Sequence, residues 1–198
     1  MSGAPALEVR ETDIPDVKVL VPRRLGDARG FLSETYSRRT FEAAGFGGEL
    51  VQENHSLSAP AGTVRGLHFQ RPPFAQDKLV RVLRGRVLDV AVDLREGSPT
   101  LGRHVSVELD ARGFEQVWVP VGFAHGFCTL EPDTEVLYKV SRYYSPEHEG
   151  GVLWNDPELG IEWPVEEADA TLSERDRRLP RLAELDFRFG RAGPGSPA

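Results

Sequence analysis

Short apolar runs separated by turn residues dominate the middle of the chain and restrict the folds it can adopt. Residues 78–83 alternate between apolar and basic side chains, and an Arg-Gly pair then offers a turn before the apolar run 86–94. Two further runs, 104–110 and 114–120, flank the turn-like sequence Asp-Ala-Arg-Gly, and a fifth run covers 134–141. A period of two is typical of strands with one buried face. The spacing therefore predicts an antiparallel sandwich or barrel, of which a jelly roll fits best.

Helical patterns occur only at the edges of this predicted β domain. The segment Ser37–Phe46 predicts a helix ending at a glycine. The segment Leu172–Leu185 predicts either one helix or two short ones divided at Pro180. We therefore predict a mainly β fold with small N- and C-terminal helical extensions. Residues 1–187 would form one domain, and residues 188–198, rich in Gly, Pro and Ser, a flexible tail.

The charge balance argues against several classes of partner. The chain has 198 residues and a formal charge of -7, which disfavours general binding to nucleic acids or anionic membranes. The N-terminal stretch lacks the apolar core of a signal peptide, and no apolar run approaches the ~20 residues that a membrane helix needs. The single cysteine, Cys128, precludes an intrachain disulfide and is typical of a reducing compartment. We therefore expect a cytoplasmic protein.

One segment, residues 62–81, departs from the acidic balance. It contains four basic residues, among them Arg65 and Lys78, against one acid, and a lone histidine, His68. Such a histidine is most often a hydrogen-bonded core residue, but the unperturbed histidine pKa of ~6.5 also suits a general base. Basic side chains inside a barrel are costly unless a ligand or an acid pairs with them, which favours the interpretation of this segment as part of a functional site. Strand alternation puts Arg65 and His68 on opposite faces, so a shared site requires a bulge or bend at Gly66.

Tyr138 and Asp176 each admit a structural and a catalytic interpretation. Alternation places Tyr138 on one face with Val136 and Val140, which predicts that it points into the barrel. It is either a core tyrosine or a proton donor across the cavity, and the pattern favours the core residue. Asp176 follows Ser173 by three residues and resembles a capping box, so a helix-start charge is the simpler interpretation. It orients a histidine only if the C-terminal segment folds back over the barrel.

His125 lies in the sequence Pro-Val-Gly-Phe-Ala-His, which resembles the second motif of cupin barrels. In cupins a histidine there often binds a metal, together with a histidine pair and a glutamate from the first motif. Here the first segment offers only His68, and residues 78–87 supply basic and apolar side chains instead of the glutamate. Two histidines without a carboxylate make a poor metal site, since three or four protein ligands are usual. A metal-free cupin, in which His68 serves acid–base chemistry, is the favoured interpretation.

Seven sequence blocks follow one another in a specific order. They are GDARGFLSETY, VQENHS, VRGLHFQ, QDKLVRV, GFAHGF, LYKVSRYYSPEHEGGVLWNDPELGIEWP and LSERD. Any one of them could arise by chance, whereas all seven in this order are hard to explain otherwise. Together they span about residue 13 to about residue 185, nearly the whole predicted domain. In these blocks the chain strongly resembles the dTDP-4-dehydrorhamnose 3,5-epimerase family of nucleotide-sugar enzymes.

The resemblance implies a double-stranded β-helix, the cupin jelly roll, which works as a homodimer and needs no metal or nucleotide cofactor. The implied substrate is a dTDP-4-keto-6-deoxy sugar, dTDP-4-dehydro-6-deoxy-D-glucose. The implied product, dTDP-4-dehydro-L-rhamnose, is a precursor for surface polysaccharide or glycosylated metabolites. Because a ketone at C4 acidifies the hydrogens on C3 and C5, a base on one face and an acid on the other can invert each centre. No nucleic-acid or membrane partner is implied.

Carried onto matching positions, the resemblance implies a set of site residues. His68 resembles the general base, and Asp176 resembles the partner that orients it. Tyr138 resembles the acid on the opposite face, and Lys78 would lie near the C4 oxygen. Tyr143 matches an aromatic that stacks on thymine, and GDARGFLSE is expected to reach the partner subunit's site. The other positions that match substrate or nucleotide contacts are Arg29, Phe31, Glu34, Gln52, Asn54, Arg65, His125, Glu149 and Arg175.

Three other functions compete with this one. A 3- or 5-mono-epimerase of a related sugar nucleotide would look very similar, although Tyr138 favours the double epimerase because protonation at C5 needs an acid there. A non-catalytic cupin that binds a sugar nucleotide is disfavoured by the combination of His68, Asp176 and Tyr138. A metal-dependent cupin oxygenase or isomerase would require a stoichiometric transition metal.

Overall fold

The computed structural model describes residues 5–190, which fold mainly into β-strands. In chain order the strands of this part are β1 (Leu7–Glu11), β2 (Lys18–Pro22), β3 (Arg24–Asp27), β4 (Gly30–Ser33), β5 (Gln52–Ser58), β6 (Val64–Gln70), β7 (Lys78–Arg84), β8 (Arg86–Asp93), β9 (His104–Asp110), β10 (Gln116–Val119), β11 (Phe123–Thr129), β12 (Thr134–Val140) and β13 (Glu149–Gly151). Its helical elements are α1 (Arg38–Ala43) and the 3₁₀ turns Pro146–His148, Asp176–Arg178 and Leu182–Glu184. None of these helices is long and apolar enough to cross a bilayer.

The strands form two main sheets and one separate hairpin. The six-stranded sheet has the order β1-β2-β10-β7-β12-β5, and the five-stranded sheet has the order β13-β6-β11-β8-β9. Neighbouring strands pair antiparallel in both, and β3 pairs with β4 in the hairpin. Two antiparallel sheets around one core are the architecture of a double-stranded β-helix. The predicted mainly β jelly roll is therefore confirmed.

The predicted elements agree with the observed ones to within a few residues. The runs predicted at 78–83, 86–94 and 104–110 are β7, β8 and β9, each displaced by at most one residue at either end. The helix predicted over Ser37–Phe46 is the shorter α1. Near the C-terminus the divided alternative is observed, with one 3₁₀ turn on each side of Pro180. Proline lacks the N–H that a continuous helix would need at that point.

Apolar side chains fill one part of the space between the two sheets. Val80, Val117 and Val136 contribute from the six-stranded sheet, and Val87 and Leu109 contribute from the five-stranded sheet. Because inward positions recur at every second residue, the same strands also send polar side chains inward farther along. The rest of the interior is therefore available for a polar cavity.

The C-terminal segment covers the outer face of the five-stranded sheet. Leu67 and Phe69 of β6 point to this face and lie in one apolar cluster, against which Leu182 and Phe187 pack. Residue 171 pairs with residue 63 just before β6, which anchors the segment beside that strand. The C-terminal segment thus folds back over the barrel, as an orienting role for Asp176 requires.

The packed chain continues into the predicted tail. The sequence predicts a flexible tail from residue 188, whereas Phe189 is buried in the same outer cluster. Its backbone N–H donates to Leu94 O, and its carbonyl accepts from Glu96 N. Burial of a phenylalanine side chain holds these residues in place, because removing apolar area from water is favourable. Residues 191–198 of the predicted tail lie outside the described residues, and the single-domain organisation stays a prediction.

Strand β6 contains the bulge that a shared site requires. His68 pairs with His125, but Arg65 pairs with Phe127, so three steps along β6 oppose two along β11. Gly66 lies within this irregular stretch and has a φ of 124°, a conformation that side-chain-bearing residues rarely adopt. A Cβ at Gly66 would lie 2.6 Å from Gly126 Cα. The extra residue returns Arg65 to the face that carries His68.

We expect Gly66→Ala to destabilise the fold, because the new methyl group meets the backbone of β11 at a strained φ. The free energy of unfolding from urea titrations should fall by at least about 2 kcal/mol. Gly47→Ala is the matched control, since its Cβ would meet nothing within 4 Å. The control should change stability by no more than about 0.5 kcal/mol. Equal stability of the two variants would contradict the bulge constraint.

Candidate active site

A cavity of about 460 Å³ opens between the two sheets. It draws side chains from strands of both sheets and from the C-terminal segment. Ten of the fourteen residues predicted for the site line it: Gln52, Asn54, Arg65, His68, Lys78, His125, Tyr138, Glu149, Arg175 and Asp176. Residues from six strands and from a segment more than 100 positions away from β6 thus converge on one space.

His68 and Asp176 form a hydrogen-bonded pair at this cavity. His68 Nε2 lies 2.7 Å from Asp176 Oδ1, and the Asp176 side chain is only 6% exposed. The other carboxylate oxygen accepts from Gly66 N at 3.4 Å. Burial raises the pKa of Asp176, but the hydrogen bond and the charge of His68 lower it more, so the net shift is downward. The residue is therefore a buried carboxylate that fixes the orientation of the imidazole.

The predicted capping box at Asp176 is present only in part, because the carboxylate of Asp176 bonds His68 and Gly66. Asp176 N donates to Ser173 Oγ at 3.1 Å, and the residue begins a 3₁₀ turn. The backbone of Asp176 thus starts a helical turn while its side chain reaches β6.

Lys78 and Arg65 bring positive charge to the cavity. Lys78 Nζ on β7 donates to His68 O on β6 at 3.2 Å, which links the two sheets. Burial lowers the pKa of Lys78 to about 8, although the charges of Asp89 and Glu149 act in the opposite direction. Arg65 donates to Ser58 Oγ and to Leu57 O. The bulge at Gly66 thus places Arg65 and His68 at one site, as predicted.

Tyr138 faces the cavity from the sheet opposite His68. It lies on β12 of the six-stranded sheet, whereas His68 lies on β6 of the five-stranded sheet. Val136 and Val140 on the same face of β12 are almost fully buried, which confirms the predicted orientation. Burial raises the pKa of Tyr138, the charge of Arg65 opposes this shift and that of Glu149 adds to it. Tyr138 is therefore a protonated phenol at neutral pH.

His125 is paired with a carboxylate of its own. His125 Nε2 lies 2.8 Å from Asp89 Oδ2, and both side chains are buried. It lies opposite His68 in the strand register, so the two histidines are neighbours but bond different acids. Within residues 5–190 no group of three or more His, Cys, Asp or Glu side chains is arranged to hold a metal ion.

The cavity rim contains a network of three polar side chains. Glu149 Oε2 accepts from Arg175 Nη1 at 2.5 Å and from the Tyr144 hydroxyl at 2.5 Å. Burial raises the pKa of Glu149, but these two hydrogen bonds lower it more, so it stays ionised. The predicted aromatic, Tyr143, lies outside the lining with 65% of its surface exposed, and Tyr144 lines the cavity instead. Two adjacent tyrosines are indistinguishable by pattern, because the loop conformation decides which one turns inward.

Arg29, Phe31 and Glu34 lie away from the cavity of their own chain. Arg29 is in the turn of the β3–β4 hairpin and bonds Asp27. Phe31, on β4, is 59% exposed. Glu34 follows the hairpin and accepts a hydrogen bond from Thr40. The structure therefore separates these three positions from the ten that line the cavity.

Sequence reasoning missed several cavity residues. Gln70, Gln76 and Ser173 line the cavity, and the two glutamines bond the loop at residues 142–145. Asp89 lies behind the lining and bonds the lining residue His125. Gln70 carried a usable signal, since it lies two residues after His68 and so shares its face of β6. Asp89 is an acid inside an otherwise apolar run, a pattern that calls for a buried partner.

A family model and curated proteins match most of the chain. The family model described as dTDP-4-dehydrorhamnose 3,5-epimerase matches residues 11–184. The dTDP-4-dehydrorhamnose 3,5-epimerase of Sinorhizobium fredii is 52% identical over 176 residues, which cover 89% of this chain and 90% of that protein.

Solved structures also match most of this chain. The dTDP-4-dehydrorhamnose 3,5-epimerase of Bacillus anthracis, with TDP and PPi bound, has a TM-score of 0.86 and 52% identity, covering 89% of this chain and all of that one. The dTDP-6-deoxy-D-glucose-3,5-epimerase of Legionella pneumophila, in complex with dTDP-4-keto-L-rhamnose, has a TM-score of 0.86 and 41% identity, covering 91% and 95%. With the family model matching all but the ends of the described residues, the chain belongs to the dTDP-4-dehydrorhamnose 3,5-epimerase family.

Proposed function

We propose that the protein converts dTDP-4-dehydro-6-deoxy-D-glucose to dTDP-4-dehydro-L-rhamnose by exchanging protons at C3 and C5. One observation carries the proposal: the His68–Asp176 pair and Tyr138 line a single cavity from opposite sheets. Inversion of a carbon beside a ketone needs a base on one face and an acid on the other. The names of the relatives and the sugar nucleotide bound to the Legionella enzyme support this substrate class.

His68 is the proposed base. Its Nε2 is bonded to Asp176, which leaves Nδ1 as the nitrogen that takes the substrate proton. The proton leaves C3 or C5, and the bonding electrons move toward the C4 oxygen to form an enolate. Asp176 stabilises the imidazolium that results, as carboxylates do for histidines in hydrolase triads. The same pair then repeats the step at the second carbon.

Lys78 is the proposed cation for the enolate oxygen. Its ammonium group lies within the cavity and bonds a backbone carbonyl rather than a carboxylate. An enolate develops negative charge only as the proton leaves, so a nearby cation stabilises the transition state more than the ground state. The pKa of about 8 keeps most of the lysine protonated at neutral pH.

Tyr138 is the proposed acid on the face opposite His68. Its hydroxyl donates a proton to the enolate carbon, so the new C–H bond forms on the opposite side and the centre inverts. A proton from solvent restores the tyrosine, and His68 releases its own proton, so the cycle needs no net proton. Arg65 and the rim residues Glu149 and Arg175 are proposed to hold the diphosphate and the nucleoside, since guanidinium groups bind phosphate oxygens through paired hydrogen bonds.

We further propose that two copies of the chain form the working enzyme. The β3–β4 hairpin exposes Leu25, Phe31 and Leu32, each with more than half of its surface in solvent. Exposed apolar side chains of this kind are typical of surfaces that another protein covers. The hairpin also carries Arg29, which we propose reaches the cavity of the partner. A cytoplasmic location is proposed as well, and the free, buried Cys128 is compatible with a reducing compartment.

We expect the enzyme in deuterium oxide to place solvent deuterium at both C3 and C5 of the product. Nuclear magnetic resonance of the product measures each carbon separately. His68→Asn should slow both exchanges by about 10²- to 10⁴-fold, because the general base is lost. Tyr138→Phe should retain exchange at C5 but lose inversion there.

His55→Asn is the matched control for the exchange experiment. His55 also bonds a carboxylate, Glu135 at 2.9 Å, but lies outside the cavity lining. The His55→Asn enzyme should exchange deuterium at a rate within about twofold of the wild type. Label at only one carbon in the wild type would establish a mono-epimerase and contradict the 3,5 assignment.

We expect kcat/KM to fall as the pH rises above about 8, because the active form of Lys78 is the cation and its pKa is about 8. The raised pKa of Tyr138 keeps the acid protonated over that range. Lys78→Arg should lower kcat/KM at pH 7 but move this decline to higher pH, since a guanidinium stays charged. Lys139→Arg, on the other face of β12, should keep the wild-type profile. A decline that stays near pH 8 in Lys78→Arg would assign it to another group.

We expect co-expression of the Arg29→Ala and His68→Asn chains to restore activity. Half of the dimers formed from equal amounts are mixed, and each mixed dimer has one site with both residues intact. About a quarter of the wild-type activity should return. Co-expression of His68→Asn with Asp176→Asn is the control, because both defects then lie in cavities and no intact site arises. Activity equal to the sum of the separate variants would contradict the exchange of hairpins.

A further inference from the structure

Three glutamine side chains hold the loop that carries the adjacent tyrosines of the cavity rim. They are Gln52 on β5, Gln70 on β6 and Gln76 in the connection to β7, and we call them the glutamine cradle. All three line the cavity. Together they bond backbone atoms of four consecutive residues, 142–145. Their side chains thus hydrogen-bond the loop from both main sheets and from the β6–β7 connection.

Gln70 is the central member of the cradle. Its side chain is buried, with 4% of the residue exposed, and it lies two positions after His68 on the same face of β6. Gln70 Nε2 donates to Phe74 O at 3.2 Å and to Tyr143 O at 3.3 Å. Gln70 Oε1 accepts from Ser145 N at 2.7 Å. One carboxamide therefore fixes the backbone on both sides of Tyr144.

The outer two glutamines support the same stretch. Gln76 Nε2 donates to Arg142 O at 2.8 Å, and Gln52 Oε1 accepts from Tyr144 N at 3.0 Å. The second group of Gln52 is also occupied, since its Nε2 donates to Asn54 Oδ1 at 3.0 Å. Although the sequence resemblance matches Gln52 to a ligand contact, both ends of its carboxamide serve the protein here.

The cradle bonds the backbone on both sides of the tyrosine that lines the cavity. Tyr144 lines the cavity at its rim, bonds Glu149 and is 49% exposed, whereas Tyr143 lies outside the lining and is 65% exposed. A one-residue slip of an extended chain exchanges the environments of neighbouring side chains. Gln70 bonds Tyr143 O and Ser145 N at once, so such a slip would break both hydrogen bonds.

We infer that Gln70, assisted by Gln76 and Gln52, is a positioning residue that sets the two tyrosines for the flat base of the nucleotide. The inference rests on the proposed function, because it takes a dTDP-sugar as the ligand. Gln70 acts through the loop, because all three of its side-chain hydrogen bonds go to backbone atoms of the protein. It therefore governs affinity for the nucleoside end and leaves the chemical step unchanged.

Preorganisation explains why a buried carboxamide suits this task. An aromatic platform on a free loop loses conformational entropy when it binds a ring, and that loss weakens binding. Because the cradle orders the loop when the protein folds, this entropy is already lost before the ligand binds. Removing the carboxamide would leave Ser145 N and Tyr143 O, both partly buried in these hydrogen bonds, without their partner and would free the loop to move.

The experiment compares the binding of dTDP and of inorganic pyrophosphate by calorimetry, in the wild type and in Gln70→Met. Methionine approximates the shape of glutamine but removes all three hydrogen bonds. We expect the Kd for dTDP to rise about tenfold. The Kd for pyrophosphate, which has no base, should change less than twofold. The KM for the sugar nucleotide should rise in parallel with the Kd for dTDP, while kcat at saturating substrate should stay within about twofold of the wild type.

Thr134→Val is the matched control for loss of a buried hydrogen bond. Thr134 Oγ1 donates to Glu131 O at the far end of β12, and neither residue lines the cavity. This variant should lose a similar stability and bind both probes like the wild type. Equal weakening of both probes in Gln70→Met, or an unchanged Kd for dTDP, would overturn the inference.

A second variant keeps the test informative if Gln70→Met does not fold. Gln76→Met removes one hydrogen bond to the loop. We expect the same selective loss of dTDP affinity, with a smaller rise in Kd than in Gln70→Met. No selective loss in Gln76→Met would overturn the inference in that case. The inference and the proposed function also fail separately. A wild type that binds dTDP but exchanges no deuterium refutes the epimerase and leaves the cradle intact.

Discussion

Burial of charge between two sheets is the constraint on which the site depends. A charged group placed there loses most of its hydration, so it is stable only with a partner. Two buried carboxylates meet this need with histidines that line the cavity, Asp176 with His68 and Asp89 with His125. Lys78 bonds a backbone carbonyl instead, and burial lowers its pKa to about 8. A cation held in this way gains most when an oxyanion forms beside it, as the proposed enolate chemistry requires.

Local sequence patterns predict those features of the site that depend only on neighbouring residues. Tyr138 could be oriented from Val136 and Val140, because side-chain alternation depends only on neighbouring residues. The bulge at Gly66 followed from requiring Arg65 and His68 to share a face. Asp176 could not be assigned this way, since its partner lies 108 residues earlier and its own surroundings resemble a helix cap. Its connection to His68 came from the family resemblance, and the observed fold explains it through the return of the C-terminal segment.

Other parts of the site were beyond prediction for physical reasons. Tyr143 and Tyr144 are identical in type and adjacent, and only the hydrogen bonds of the loop, with Gln70 at their centre, decide which of them turns inward. Arg29 and Phe31 were expected near a site, yet they lie on a hairpin away from the cavity of their own chain. In the proposed dimer their ligand lies on a second copy, so it leaves no mark in the packing of the first.

The return of the C-terminal segment also means that the proposed site is completed late in synthesis. The strand with His68 leaves the ribosome long before Asp176, so a growing chain carries its histidine without the carboxylate that orients it. The outer face of the five-stranded sheet lacks its cover over the same period, since Phe187 and Phe189 arrive last. A chain that stops early, or is cut within this segment, therefore loses the His68–Asp176 pair and the cover of its apolar surface together. Under the proposed mechanism, a molecule that ends before Asp176 lacks the carboxylate that orients its base, and it exposes apolar surface of the kind that quality-control proteases and chaperones recognise.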